Sequence, residues 1–153
     1  MILVDTSVWI DHLRIDHLRI GDPQLTALLQ GAQVLAHPWV IGELALGQVS
    51  GRSEILALLS NLPQAMVATE AEVMTLVETQ PLFGLDIGYV DANLLAATLL
   101  TTDASLWTRD KRLAAAASRS RNLLPYGGDL VVAPSNGVAH RSKRGYLETF
   151  GRP

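Results

Sequence analysis

Four carboxylates interrupt the most apolar stretches of this chain, and this constrains its folding more than any other feature. Asp5 closes the run MILVD, Glu43 sits within WVIGELAL, Asp91 within GYVDANLLAATLL, and Asp110 follows LWTR. An unpaired carboxylate taken out of water costs several kcal/mol even after relaxation. Four such positions, far apart in sequence, suggest one shared solution. A fold that gathers them around a divalent cation neutralises the charges that folding brings together.

The 153 residues suffice for one domain with a single core, and a hydrophobic content of 48% fills it. There are no cysteines, so a disulfide framework and a thiolate metal site are excluded. Any metal is then held by oxygen or imidazole, and carboxylates favour hard ions such as Mg²⁺ or Mn²⁺. The net charge of −3 argues against a protein that passively coats nucleic acid, but not against an enzyme whose acidic cleft is rimmed by arginines. The longest apolar run, near residues 92–100, falls far below the ~20 residues of a membrane span. The start MILVDTSVW lacks the basic region of a signal peptide. The expectation is a soluble, cytoplasmic protein without a membrane partner.

Short apolar runs alternate with helical patterns. Residues 1–5 read as a buried strand, with Thr6 or Ser7 able to cap the helix that follows. Asp22 and Pro23 open a helix that Gly31 ends. Residues 33–36 form a strand candidate, and Pro38 opens a helix to about Gly51. Ser53 is placed to cap EILALLSNL, which stops before Pro63. Residues 65–68 suggest another strand. Thr69 and Glu72 form a capping box for a helix to about Gln80. The helix of Asp91, a strand at 105–108 and a helix opened by Asp110 complete the pattern. Strands alternating with helices imply a parallel sheet covered on both faces, an α/β class.

Two regions depart from it. Residues 10–14 and 15–19 repeat the same five letters, IDHLR. Five residues turn a helix by about 500°, roughly 140° net. Trp9, Leu13 and Ile20 then share a stripe that Ile15 and Leu18 leave, so the second copy loops out or meets another surface. Residues 127–153 hold five glycines, two prolines and the basic run HRSKR; only 130–133 looks strand-like. The expected division is a folded unit over 1–126 and a flexible C-terminal tail over 127–153.

In a doubly wound sheet, ligands collect at the carboxyl ends of the strands. Asp5 and Asp110 both belong at that edge, and Glu43 and Asp91 project from helices able to lean over it. Together they offer up to eight carboxylate oxygens, which suits one or two Mg²⁺ ions that keep waters of their own. Such an ion activates water and stabilises charge on a phosphodiester. Taken singly, each acid also has a plain structural reading: Asp5 and Asp110 as helix caps, Asp91 as a first-turn acid favoured by the helix dipole, Glu43 as a half-exposed side chain. Their joint occurrence carries the functional reading.

Thr6, Ser7 and Thr108 adjoin the acids, either orienting water or serving as caps and strand ends. Arg109, Lys111 and Arg112 are candidates to hold phosphates beside the site, or a solvated helix face. The four histidines show no ligand spacing, and no phosphate loop or nucleophile elbow is present. Trp9, Trp39 and Trp107 read as core residues ahead of base-stacking platforms.

MILVDTSVWIDHLR, HPWVIGELALG, GYVDANLLAA and LWTRDKRL together resemble the PIN-domain ribonucleases, specifically the VapC-type toxins of bacterial toxin–antitoxin pairs. The resemblance covers roughly residues 1–126, with the four segments in the family's order. It implies a three-layer α/β/α sandwich with a short parallel central sheet. It also implies Mg²⁺- or Mn²⁺-dependent RNA cleavage by a quartet matching Asp5, Glu43, Asp91 and Asp110, with Ser7 and Thr108 at accessory positions. The partners it implies are RNA, a second copy in a homodimer, and a small antitoxin whose tail crosses the active-site groove. The second IDHLR copy and the segment after Tyr126 depart from the family pattern. Related acid clusters also serve DNA nucleases and phosphatases, and an inactive RNA- or antitoxin-binding scaffold is the non-enzymatic alternative.

Overall fold

The structure, a computed structural model, describes residues 1–13, 21–119, 123–126 and 129–132. Three short strands lie parallel in the order β2 (Val34–Leu35), β1 (Ile2–Val4) and β3 (Ser105–Trp107). The register sets Leu3 between Leu35 and Leu106, and Val4 beside Trp107. Successive strand residues face opposite sides of a sheet. Leu3, Val4, Val34, Leu35, Leu106 and Trp107 are nevertheless all buried. Both faces are therefore covered, as the α/β/α layering requires.

Seven helices are present among the described residues: α1 (Thr6–Leu13), α2 (Pro23–Gln30), α3 (Pro38–Leu46), α4 (Arg52–Asn61), α5 (Glu70–Thr79), α6 (Tyr89–Leu100) and α7 (Lys111–Arg119). None is long and apolar enough to cross a membrane. Local chemistry sets their ends. Asp22 accepts from the backbone N–H groups of Gln24 and Leu25 at 2.8 and 3.2 Å, with Pro23 opening α2. Thr69 and Glu72 cap α5 reciprocally.

Three local expectations change. α3 ends at Leu46, short of Gly51, because Gly47 turns to an extended conformation. α4 starts behind Gly51, whose φ of 65° suits glycine, and not from a Ser53 cap. Residues 65–68 form no strand; the sheet gains only an isolated parallel bridge between Ala36 and Gln64.

Beyond the parallel core, β5 (Asp129–Val132) pairs antiparallel with β3, and β4 (Leu123–Tyr126) pairs antiparallel with β5. The strand expected at 130–133 thus lies in the sheet as its fourth member. The second IDHLR copy and the rest of the C-terminal segment, with its basic run, lie outside the described residues.

Candidate active site

β1 delivers Asp5 to the carboxyl edge of the sheet. Its N–H donates to the Trp107 carbonyl at 2.9 Å, extending the β1–β3 ladder by one residue. Its side chain is 5% exposed, and burial is tolerated because one oxygen is well satisfied. Asp5 Oδ2 accepts from Ser7 Oγ at 2.5 Å, Thr108 Oγ1 at 2.8 Å and the Ser7 N–H at 3.2 Å. The two hydroxyls accept in turn, Ser7 Oγ from the Arg109 N–H and Thr108 Oγ1 from the Asp110 N–H, both at 3.0 Å. The loop after β3 is thereby tied to the end of β1.

The other three acids come from helices. Asp110 caps α7, with Oδ1 accepting from the N–H groups of Arg112 and Leu113 at 2.7 and 3.0 Å. Asp91 lies in the first turn of α6, with Oδ2 accepting from the Gly88 N–H at 2.8 Å. Glu43 projects from α3, with Oε2 accepting from Thr6 Oγ1 at 2.5 Å. α3 itself is started by Pro38 and by His37, whose Nδ1 accepts from the Trp39 N–H at 3.3 Å. Each acid thus uses one oxygen on the protein. The second oxygen of each has no hydrogen-bond donor among the described residues.

The structure brings the quartet into one electrostatic neighbourhood. Burial pushes the Asp91 carboxyl above its ordinary range, the Gly88 N–H pulls it back, and the negative charges of Asp5, Asp110 and Glu43 each push it up again. Burial is unequal, however. Asp5 is buried and Asp91 half-buried, whereas Glu43 and Asp110 are exposed. The apolar letters around Glu43 belong to other faces of α3, and those before Asp110 belong to strand β3.

The neighbouring candidates separate into different roles. The hydroxyl protons of Thr6, Ser7 and Thr108 are all used on carboxylates, so these residues orient the acids. Arg109 is held in ion pairs with Asp11 and Asp22, which compete with any phosphate for its guanidinium. Lys111 and Arg112 stand exposed on α7, and Arg112 also reaches the Asp86 carbonyl at 3.4 Å. Trp9 and Trp107 are core residues as expected, but Trp39 is 43% exposed.

The sequence is 51% identical over 120 residues to Ribonuclease VapC32 from two strains of Mycobacterium tuberculosis, CDC 1551 / Oshkosh and H37Rv. The match spans 78% of this chain and 93% of the relative. The chain belongs to the VapC-type PIN ribonucleases. No family model matches it, and no solved structure does. As a VapC-type ribonuclease it is an enzyme acting on phosphodiester bonds.

The donor set of this VapC-type chain fits a hard divalent cation in its chemistry: all-oxygen, anionic, and mutually repulsive without a counter-ion. It is not a closed cage, since no group of three or more acidic or histidine side chains among the described residues is placed to hold an ion.

Proposed function

We propose that the chain is a Mg²⁺-dependent endoribonuclease acting as the toxin of a toxin–antitoxin pair, with Mn²⁺ able to replace Mg²⁺. The observation that carries this reading is the quartet itself. The charges of Asp5, Asp110 and Glu43 raise the cost of ionising Asp91, and each of the four carboxylates keeps an oxygen with no donor among the described residues. Asp5 and Asp91 are the direct ligands, and Glu43 and Asp110 complete the cluster or act through water. When bound, the ion supplies Lewis acidity that activates water and offsets charge on the phosphodiester.

The remaining work falls to the chain's own side chains. Ser7 and Thr108 fix the Asp5 carboxylate by its Oδ2, leaving Oδ1 to face the site. Thr6 fixes Glu43 in the same manner. Lys111 and Arg112 offer positive charge to RNA phosphates on the Asp110 side. The partners proposed are an RNA substrate, a small cognate antitoxin and a second copy of the chain, in the cytoplasm.

The test is cleavage of single-stranded RNA, with DNA and a phosphomonoester assayed alongside. RNA cleavage abolished by chelator, restored by Mg²⁺ or Mn²⁺, and reduced at least ~10²-fold by Asp5→Asn supports the reading. Cleavage that survives excess chelator overturns the metal mechanism. Activity on DNA or the phosphomonoester alone assigns a different reaction, and failure to bind metal on titration identifies an inactive scaffold.

A further inference from the structure

Trp39 and Tyr89 meet edge to face, with ring centroids 6.4 Å apart and planes at 78°. Both remain about half exposed, at 43% and 48%, while the other two tryptophans, Trp9 and Trp107, are 4% and 0% exposed. Trp39 lies in the first turn of α3, and Glu43 follows it at i+4, one turn along the same face. Tyr89 is the first residue of α6 and shares its first turn with Asp91. The aromatic contact therefore joins the same two helices that the Glu43–Asp91 repulsion joins. The pair stands beside the acidic site, not on a remote face.

Its position answers a problem that the quartet creates. Four carboxylates repel an RNA backbone, and the guanidinium of Arg109 is engaged by Asp11 and Asp22. Beyond the phosphate contacts assigned to Lys111 and Arg112, holding a strand against that field is helped by contacts that do not depend on phosphate charge. Aromatic rings supply them, because every unpaired base has a π-face to stack. Tyr and Trp also present large rigid surfaces at small entropic cost.

We propose that Trp39 and Tyr89 form a stacking platform for an unpaired nucleobase of single-stranded RNA adjoining the bond to be cut. This rests on the ribonuclease reading above and names the contact that positions its substrate. Trp39 is the principal surface, and Tyr89 braces its edge. Duplex RNA, whose bases are already stacked and paired, cannot use the platform.

The burial of Trp9 and Trp107 makes the test direct, since quenching of tryptophan fluorescence by RNA then reports on Trp39. In an Asp5→Asn background with Mg²⁺ present, a short single-stranded oligoribonucleotide is expected to quench fluorescence, and Trp39→Phe to remove the quenching while weakening binding less than Trp39→Ala does. Trp39→Ala is expected to weaken binding by about 5- to 150-fold, the range for losing one base stack. Tyr89→Ala should weaken it in the same direction, which keeps the test open if Trp39→Ala fails to fold. With Asp5 intact, Trp39→Ala should raise KM more than it lowers kcat.

Equal RNA affinity for parent, Trp39→Ala and Tyr89→Ala overturns the platform while leaving the ribonuclease reading in place. Loss of antitoxin binding alone, with RNA affinity unchanged, also overturns it and assigns the pair to the protein partner. A parent that neither binds nor cleaves RNA overturns the ribonuclease reading and the platform with it.

Discussion

Thr108, the residue after β3, donates a 2.8 Å hydrogen bond to Oδ2 of Asp5, 103 residues earlier in the chain. The same hydroxyl accepts from the Asp110 N–H at 3.0 Å. One buried side chain therefore aims the central carboxylate of the site and holds the residue that caps α7. Two acids remote in sequence are placed by a single threonine.

Thr108→Val keeps the shape of the side chain and removes both bonds. Charge-assisted hydrogen bonds are worth about 1.5–3 kcal/mol, and a buried group left unpaired adds cost of its own. The expected outcome is destabilisation of that order and a fall in RNA cleavage, with Thr108→Ser restoring both. Chemical denaturation of the three proteins, run beside the cleavage assay, checks it. Equal stability of the valine variant and the parent would show that the network is not what positions Asp5.

Asp91→Asn separates stability from activity. The folded state raises the Asp91 pKa through burial and the charges of Asp5, Asp110 and Glu43, so it binds the Asp91 proton more tightly than the unfolded chain does. Ionised Asp91 therefore destabilises the fold, increasingly as pH rises from the ordinary carboxylate range through the raised value. Removing the charge should leave metal-free stability at pH 7 equal or higher, while activity falls at least ~10²-fold. Melting temperature in chelator and initial cleavage rate are the two readouts. A variant that melts well below the parent shows the carboxylate to be structural, and one that cleaves at the parent rate removes it from the chemistry.

The helix ends and the quartet were legible because both are written in short-range chemistry. Asp22–Pro23, Thr69 with Glu72, and Asp110 before an alanine-rich run act through hydrogen bonds to residues two or three positions away. The carboxyl edge of a parallel sheet follows from alternating strands and helices, so Asp5 and Asp110 could be placed there. Facing was harder to read. α3 is apolar nearly all round, so nothing in PWVIGELAL says that Trp39 and Glu43 point outward while Val40 and Leu44 are buried. Arg109 groups in sequence with Lys111 and Arg112, whereas its partners Asp11 and Asp22 lie about 90 residues away. Long-range pairing of this kind leaves no local pattern.

His37 makes stability depend on pH. It is fully buried, and burial lowers its pKa from 6.5 to about 4. The unfolded chain takes up the imidazole proton as pH falls through 6.5, while the folded chain resists until about 4. Stability is therefore full above 6.5 and is lost progressively between 6.5 and 4, by roughly 3 kcal/mol in total at 1.36 kcal/mol per pKa unit. His37→Asn keeps an acceptor for the Trp39 N–H and cannot titrate. Its unfolding free energy should fall less steeply than the parent's over that window, and parallel curves for the two proteins would show that His37 is not the titrating group.

Deleting residues 15–19, one IDHLR copy, should leave the fold and the metal-dependent activity in place. Trp9 is buried and Leu13 packs partly buried against the core, and both precede the deletion, which leaves their part of the stripe intact while Ile20 takes the place of Ile15. On either side of the second copy, Asp11 and Asp22 meet on one guanidinium, that of Arg109, so the chain before and after that copy comes close together. They are 22 − 11 = 11 positions apart, and the deletion leaves 11 − 5 = 6, still able to span roughly 20 Å when extended. The deletion also removes Ile15 and Leu18, which fall off the α1 stripe. Melting temperature is expected to be equal or higher at matched protein and metal concentration, while self-association or antitoxin affinity changes if the extra copy meets a partner. A large drop in melting temperature would place the second copy in the core, and the helical phase argument would be wrong.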